Sequence, residues 1–164
     1  MTSPLTVPTF MLDHMVIRLG KYLRIIGCDA AWDLRLRTHD LIQRANQEGR
    51  IFITRNRQLP HQYPPPARLL TLVESEPVRQ FQVVVRAYGL DPLANLFSRC
   101  IRCNVALEAV PDKAAVRERV HPNVYGRFEQ FYHCPRCGTV FWHGSHVRNT
   151  CRKLGLPPPP DTAL

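Results

Sequence analysis

The sequence contains no long hydrophobic run, few acidic residues and very little lysine. No apolar stretch approaches the ~20 residues that a helix needs to cross a bilayer. The opening segment, MTSPLTVPTF, lacks the basic start and the long apolar core of a signal peptide. We therefore expect a cytoplasmic protein that does not enter a membrane. Disulfide bonds between its six cysteines would not persist in that compartment.

The 13 acidic residues face 22 basic ones, which gives a net charge of +9 and a pI near 9.7. Arginine supplies nearly all of this positive charge. Its planar guanidinium group suits bidentate contacts to phosphate. This balance favours nucleic acid as a partner over an acidic protein or a membrane surface. The alternative is that the charge serves only to keep the protein in solution.

Up to about residue 95, strand patterns alternate with helical patterns. The predicted strands are TFMLD, CDAAWD, RIFIT and ARLLTL, and the predicted helices are HMVIRLGKYLRIIG, RTHDLIQRANQEG and PVRQFQVVVRAYG. Thr38 is the predicted N-cap of the second helix, Gly49 closes it, and Pro77 and Gly89 bound the third. This alternation predicts an α/β domain with a mostly parallel sheet that helices cover on both faces.

Beyond Asn95 the sequence changes to cysteine pairs separated by aromatic residues and turns. We therefore predict a domain boundary there, a small module over 97–153 and a disordered proline-rich tail over 154–164. Within the module, DKAAVRERVHP predicts a short helix, VYGRFEQFYH a strand, and TVFWHGSHVRN a strand that turns at Gly144.

Four cysteines have the spacing of a structural zinc site. They form two CxxC pairs, Cys100 with Cys103 and Cys134 with Cys137. Two thiolates in one tight turn can bind the same ion, and two such turns complete a closed tetrahedral site that folds the module and catalyses nothing. The alternatives are disulfide bonds or separate core cysteines. Cys28 and Cys151 match neither pair, so we expect them to be ordinary core or surface residues.

The cysteine module is also basic and aromatic. Between Phe97 and Lys153 there are ten basic and four acidic residues. Aromatic rings beside arginines suit stacking on unpaired bases. The alternative is that at least half of these rings form the small core of the module; they are Tyr125, Phe128, Phe131, Tyr132, Phe141 and Trp142.

Carboxylates follow the first two predicted strands, at Asp13 and Asp33, and Asp40 opens the next helix. The carboxyl ends of parallel strands meet at one side of a sheet, where Asn56 also follows a strand. Carboxylates gathered in this way need a cation, and Mg²⁺ or Mn²⁺ suits both oxygen ligands and phosphodiester chemistry. The alternative for each aspartate is a cap or turn role, as for Asp40 in the first turn of a helix.

Four segments closely resemble the Mut-seven C-terminal RNase family; they are FMLDHMVIRLGKYLRIIGCDAAWD, DLIQRANQEGRIFITRNRQL, FSRCIRCNVALEAV and FYHCPRCGTVFWHGSHVRN. The resemblance runs from about Thr9 to Lys153 in the same order. That family joins a PIN-like nuclease fold to a zinc ribbon. The resemblance therefore implies a PIN-like domain over 9–95, a zinc ribbon over 97–153 and metal-dependent hydrolysis of RNA phosphodiester bonds.

Matched position by position, Asp13 stands at the family's first-strand acid and Asp40 at its helix-opening acid. Asp33 stands where the family commonly shows an acidic cluster. The resemblance implies that Asp13 and Asp40 hold Mg²⁺ or Mn²⁺, with Asn56, and Asp33 as a further candidate, completing or orienting the site. The family's usual turn is Thr-Arg-Asp-Arg, whereas this sequence has TRNR with Asn56. The neutral amide oxygen of asparagine should weaken cation affinity without abolishing coordination.

The same resemblance implies that Arg55 and Arg57 face the substrate phosphate. Further predicted contacts to RNA come from Arg102 and Arg136, which precede the second cysteine of each pair, and from His146. The alternative for His146 is a purely structural turn.

The expected partner is single-stranded RNA or tRNA. The first alternative function is a catalytically weakened adaptor that binds RNA or the ribosome. The second is a protein-interaction module in which the basic charge is incidental. Steep salt dependence of RNA binding would favour the first alternative over the second.

Overall fold

A computed structural model describes residues 7–159, in two compact units, Met1–Asn104 and Val105–Leu164. Residues 160–164 of the predicted tail lie outside the described residues. The elements of the first unit are β1 (Phe10–Leu12), a 3-10 turn (His14–Val16), α1 (Ile17–Ile25), β2 (Ala30–Ala31), α2 (Thr38–Gln47), β3 (Ile51–Thr54), α3 (Leu59–Gln62), β4 (Leu69–Thr71) and α4 (Pro77–Tyr88).

The first unit contains a four-stranded parallel sheet in the order β2-β1-β3-β4. Met11 and Phe52 pack on one face, in a buried cluster with Leu41 of α2. On the other face Phe10 makes an edge-to-face ring contact with Tyr88 at the end of α4. Successive residues of a strand point to opposite faces of the sheet. Because both faces are covered, all three residues of β1 are buried. The predicted α/β fold with flanking helices is confirmed.

The strand order reverses between β1 and β3. The chain leaves β1 through α1 to reach β2 on one side, then crosses back through α2 to β3 on the other. In open parallel sheets such a reversal leaves a crevice beyond the carboxyl ends of the two strands. Asp13 directly follows β1, and the segment Arg55–Arg57 follows β3.

The helix boundaries follow from local residues, with one correction. Pro77 is the first residue of α4, and Gly89 ends it in the left-handed conformation, as predicted. The N-cap of α2 is Arg37, which makes no side-chain capping bond, so the prediction of Thr38 as N-cap was wrong by one residue. The four-residue helix α3 was not predicted, because one turn is too short to show a hydrophobic period.

The second unit contains β5 (Glu108–Ala109), a 3-10 helix (Lys113–Arg119), α5 (Pro122–Arg127), β6 (Tyr132–His133), β7 (Val140–Phe141) and α6 (Ser145–Leu154). The three strands form an antiparallel sheet in the order β5-β6-β7. A small core of Val116, Phe128 and Phe131 lies within this unit. These two phenylalanines are therefore core residues, as the alternative for the aromatic rings had it.

Two predictions for this unit were wrong in part. The segment VYGRFEQFYH was predicted as a strand, but its first residues belong to α5 and only Tyr132–His133 pair as β6. Pro122 at the first turn of α5 and the capping side chain of His121 start a helix there. Helix α6 was not predicted beyond the turn at Gly144. None of the helices within residues 7–159 has both the length and the apolar character needed to span a bilayer.

Gly27 is needed for close approach of the backbone, and substitution tests this. Its φ is +88°, and an added Cβ would lie 2.5 Å from the Cβ and the carbonyl oxygen of Asn95. We expect Gly27→Ala to lower the free energy of unfolding by about 3 kcal/mol or more, because strain and a steric clash add. Urea denaturation measures the change.

Gly49→Ala is the matched control. Gly49 also has a positive φ, +66°, but nothing lies within 4 Å of an added Cβ. Only backbone strain remains, so we expect a loss of about 1 kcal/mol. Equal losses for the two variants would show that the approach of Asn95 to Gly27 does not constrain the fold.

Candidate nuclease site and metal centre

Asp13 is fixed at the carboxyl end of β1. Its side chain is buried, and its Oδ2 accepts a hydrogen bond from Thr54 Oγ1 at 2.5 Å. Its Oδ1 accepts a bond from the backbone N–H of His14 at 2.7 Å. Asp13 also caps the 3-10 turn that begins at His14. A carboxylate has about four lone-pair positions, so two of them remain for a further ligand.

Thr54 connects Asp13 to the TRNR turn. The hydroxyl of Thr54 donates to Asp13 and accepts a bond from the backbone N–H of Asn56 at 3.0 Å. Asn56 Oδ1 accepts from Gln58 N at 3.0 Å, and Asn56 Nδ2 donates to Gln62 Oε1 at 3.0 Å. The asparagine therefore stabilises the entry to α3 through both ends of its amide. The sequence indicated the position of this residue but not its hydrogen bonds to Gln58 and Gln62.

Arg55 carries an unsatisfied donor. Its Nε is buried and makes no hydrogen bond to the described residues. A buried donor left without a partner costs about 1–3 kcal/mol. An anion that reached this nitrogen would remove that cost. Arg57, two residues further on, is exposed at the same turn.

Asp33 and Asp40 are engaged elsewhere. Asp33 accepts three hydrogen bonds from Arg35, and these bonds lower the pKa of its carboxyl group. Asp40 lies in the first turn of α2 with half of its side chain exposed, and its Oδ1 is 3.5 Å from His39 Nδ1. Both positions agree with the turn and first-turn roles that the sequence left open. The structure does not gather Asp13, Asp33 and Asp40 into a group that could share one ion.

The four cysteines of the two CxxC pairs do form such a group. Their Sγ atoms all lie within 4.8 Å of one another. Across residues 7–159 this is the only set of three or more cysteine, histidine or acidic side chains placed to hold a metal ion. Tetrahedral zinc with bonds of about 2.3 Å needs sulfurs about 3.8 Å apart, which the group can reach by small shifts. The arrangement fits a metal such as zinc.

The turns that carry the cysteines have the hydrogen bonds of metal knuckles. In each pair the N–H of the second cysteine points to the sulfur of the first at 3.4 Å, for Cys103 to Cys100 and for Cys137 to Cys134. Such bonds partly neutralise thiolate charge. Gly138 has a φ of +71° and closes the second turn, and its carbonyl accepts a bond from Arg119 Nη2.

The buried guanidinium group of Arg24 fixes the first knuckle, and sequence reasoning missed it. Arg24 Nε donates to the carbonyl of Ala30 at 2.7 Å. Its Nη1 donates to the carbonyls of Ile101 at 2.6 Å and Arg102 at 3.2 Å. Its Cζ lies 3.4 Å from the ring centroid of Trp32. The helical pattern gave only the position of Arg24 in α1, because two of its three carbonyl partners are 77 and 78 residues away.

Burial lowers the pKa of Arg24 to about 10, against the opposing effect of the negative charges of Asp29 and Cys100. The group therefore stays cationic at neutral pH, close to the cysteines. Asn104 adds to the same attachment: its Oδ1 accepts from Ala30 N at 3.1 Å, and its Nδ2 donates to Asp29 at 2.6 Å. Asn104 thus bonds the end of the first knuckle to Asp29 and to Ala30, the first residue of β2.

The remaining predicted residues are placed as follows. Arg102 and Arg136 are exposed in their knuckles, where they can reach a partner. His146 lies in the first turn of α6, and its imidazole meets the ring of Trp142 edge to face at 5.7 Å. Cys28 and Cys151 are both buried. Burial raises the pKa of Cys28 to about 11 and raises that of Cys151, so both thiols stay protonated and neutral.

The family model of the Mut7-C RNAse domain matches residues 8–154, which is most of the chain. No curated protein and no solved structure matches this chain. The matched range includes the Asp13–Thr54–Asn56 arrangement and all four cysteines of the metal group.

We expect the purified protein to bind zinc through the four grouped cysteines. Cys134→Ser should remove tight zinc binding, because a hydroxyl is a poor ligand in place of a thiolate. The measurement is zinc content by a chromophoric chelator assay after dialysis. Cys151→Ser, which changes a buried cysteine outside the group, should keep its zinc; equal loss in both variants would argue against the four-sulfur site.

We expect Arg24→Met to destabilise the protein and to weaken zinc binding. The change leaves three carbonyl groups without their donor and should cost about 3 kcal/mol of unfolding free energy. Groups that orient metal ligands typically contribute 10- to 100-fold in affinity, so zinc Kd should rise by about that factor. Competition with a chelator gives the Kd, and urea denaturation gives the stability.

The matched control is Arg18→Met, which removes an exposed arginine from the same helix. Its effect on stability should stay within about 0.5 kcal/mol, with zinc affinity unchanged. If Arg24→Met kept the zinc affinity of the wild type, its contacts to Ile101 and Arg102 would not orient the knuckle.

Proposed function

The chain belongs to the Mut7-C RNAse domain family, and from this membership we propose that it is a metal-dependent ribonuclease acting in the cytoplasm. The reaction is hydrolysis of an RNA phosphodiester bond by water. Mg²⁺ or Mn²⁺ at Asp13 would be the catalytic ion, and structural zinc at the four cysteines would fold the ribbon. Single-stranded RNA or tRNA is the proposed substrate.

The buried carboxylate of Asp13 at the strand-order reversal is the observation that carries this proposal. A buried carboxylate is costly unless charges or hydrogen bonds compensate it. Asp13 has two hydrogen bonds and lone pairs to spare, beside the carboxyl end of β3. Asn56, linked to it through Thr54, offers an amide oxygen. These are donors of the type that hard divalent cations prefer.

Each residue has a distinct part in the proposed reaction. When bound, a divalent cation lowers the pKa of a coordinated water and offsets charge on the phosphate. Asp13 would hold that cation, and Asn56 would complete or orient its surroundings. Asp40 and Asp33 would join them only by leaving their present partners, His39 and Arg35. Thr54 keeps the Asp13 carboxylate in one orientation. The unsatisfied Nε of Arg55 would donate to a phosphate oxygen, and the exposed Arg57 would add charge nearby.

The donor set fits a divalent cation only in part. Asp13 and Asn56 are linked, but Asp33 is bonded to Arg35 and Asp40 is half exposed beside His39. One buried charge and one neutral amide make a weaker site than three carboxylates, because cation affinity rises with ligand charge.

This arrangement also favours a second candidate, an adaptor that binds RNA or the ribosome and has lost most of its catalysis. Its specific support is Asn56, whose amide groups are engaged by Gln58 and Gln62. The net charge of +9 is undiminished and would still bind RNA. The adaptor binds RNA with steep salt dependence and does not cut it.

The test incubates labelled single-stranded RNA and tRNA with the wild type, Asp13→Asn and Asn56→Asp, in Mn²⁺, Mg²⁺ or EDTA. For a ribonuclease we expect metal-dependent cleavage that falls about a hundredfold in Asp13→Asn. Asn56→Asp should raise cleavage about tenfold, because the new carboxylate adds charge and still accepts the bond from Gln58. Cleavage rates from gel assays decide.

Asp91→Asn is the matched control. It removes an exposed carboxylate that lines a pocket with Val7 and Pro8. These two residues precede β1, whereas Asp13 follows it. Its cleavage rate should equal that of the wild type. RNA that is bound but cut only by Asn56→Asp identifies the adaptor with a relic site. Binding without cleavage in every variant contradicts the cation site at Asp13.

A further inference from the structure

The second unit contains a cavity of about 250 Å³ between α5 and the start of α6. Arg127 and Phe128, at the end of α5, line one side of it. Trp142, Ser145 and Arg148 line the other. All the residues that line the cavity belong to the second unit.

The residues that line this cavity bring positive charge to it. Arg127 and Arg148 supply two guanidinium groups, and none of the residues that line the cavity is aspartate or glutamate. Helix α6 begins at Ser145 without a side-chain cap, and its first turn has no acidic residue. The amides at this helix end therefore add to the field of the two arginines. An anion with several acceptor oxygens fits these donors, as phosphate does.

The cavity also offers a fixed aromatic ring. Trp142 is only partly buried, and its ring lies 5.7 Å from that of His146 and 6.4 Å from that of Phe131, centroid to centroid. A Cβ at Gly144 would lie 2.8 Å from Trp142 Nε1, so the indole packs directly against that backbone. A ring held in this way loses little entropy when a base stacks on it.

Phosphate donors and an aromatic ring in one cavity match the two halves of a nucleotide. We propose that this cavity binds one nucleotide of a single-stranded RNA, with its phosphate between Arg127 and Arg148 and its base on Trp142. The inference rests on the proposed function, since RNA is the substrate there, and it assigns the ribbon's share of RNA binding to one site.

The test measures RNA affinity of the zinc-loaded full chain without added Mg²⁺ or Mn²⁺, so that the RNA stays intact. The probe is a fluorescein-labelled single-stranded oligonucleotide, followed by anisotropy. Arg127→Met and Arg148→Met should each weaken binding about tenfold and lower the slope of log Kd against log salt by about one. Arg152→Met removes a cation from the same helix outside the cavity and should weaken binding about twofold at most.

A second readout follows the tryptophan itself. In Trp32→Phe the remaining tryptophan is Trp142, and saturating RNA should quench its fluorescence by at least about half, because a base stacks on the indole. In Trp142→Phe the remaining Trp32 should show no quenching. This pair of variants reports on the cavity even if an arginine variant folds poorly.

Three outcomes overturn the proposal: equal losses of affinity for Arg127→Met, Arg148→Met and Arg152→Met; unquenched Trp142; or no RNA binding by the wild type. The nuclease proposal fails differently, by an absence of cleavage in Mn²⁺ or Mg²⁺ while RNA binding persists. That failure leaves the cavity result intact, because the cavity test needs no cleavage.

Discussion

The guanidinium group of Arg24 is the interaction on which the arrangement of the first unit most depends. It is a buried cation with three carbonyl acceptors and an aromatic ring against its face. No single local segment supplies these partners, so the charge is stable only when α1, the start of β2 and the first knuckle are all in place. The cysteine turn at Cys100 therefore belongs to the fold of the sheet unit as much as to the metal group.

At the carboxyl ends of β1 and β3, the candidate site depends on a short chain of polar groups. Asp13, Thr54 and Asn56 are connected by consecutive hydrogen bonds across the point where the strand order reverses. Only one of the three is charged. Arg55 contributes a donor, its Nε, that has no hydrogen-bond partner within residues 7–159. The two proposed functions, a ribonuclease and an RNA-binding adaptor, therefore differ by the chemistry of this one turn.

The sheet, most of its helices and the four-cysteine group could be predicted from the sequence, because strand alternation, Pro77, Gly89 and the CxxC spacing are local signals. The partners of Arg24 could not, since a helical arginine gives no sign of which distant carbonyl it meets. The hydrogen bonds of Asp33 could not be predicted either, because its position after a strand does not show that Arg35, two residues later, bonds to the carboxylate. The segment before Tyr132 was misjudged because aromatic alternation suits a strand, whereas Pro122 starts a helix.

The attachment of Asn104 to the sheet has a consequence for self-association. Strand β2 is the outermost strand on its side, and outermost strands expose backbone groups on which another chain can add a strand. Asn104 Oδ1 takes the N–H of Ala30, and Arg24 takes the carbonyl of the same residue. With only two residues in β2 and one of them occupied at both backbone groups, that side of the sheet offers no template for intermolecular β-pairing.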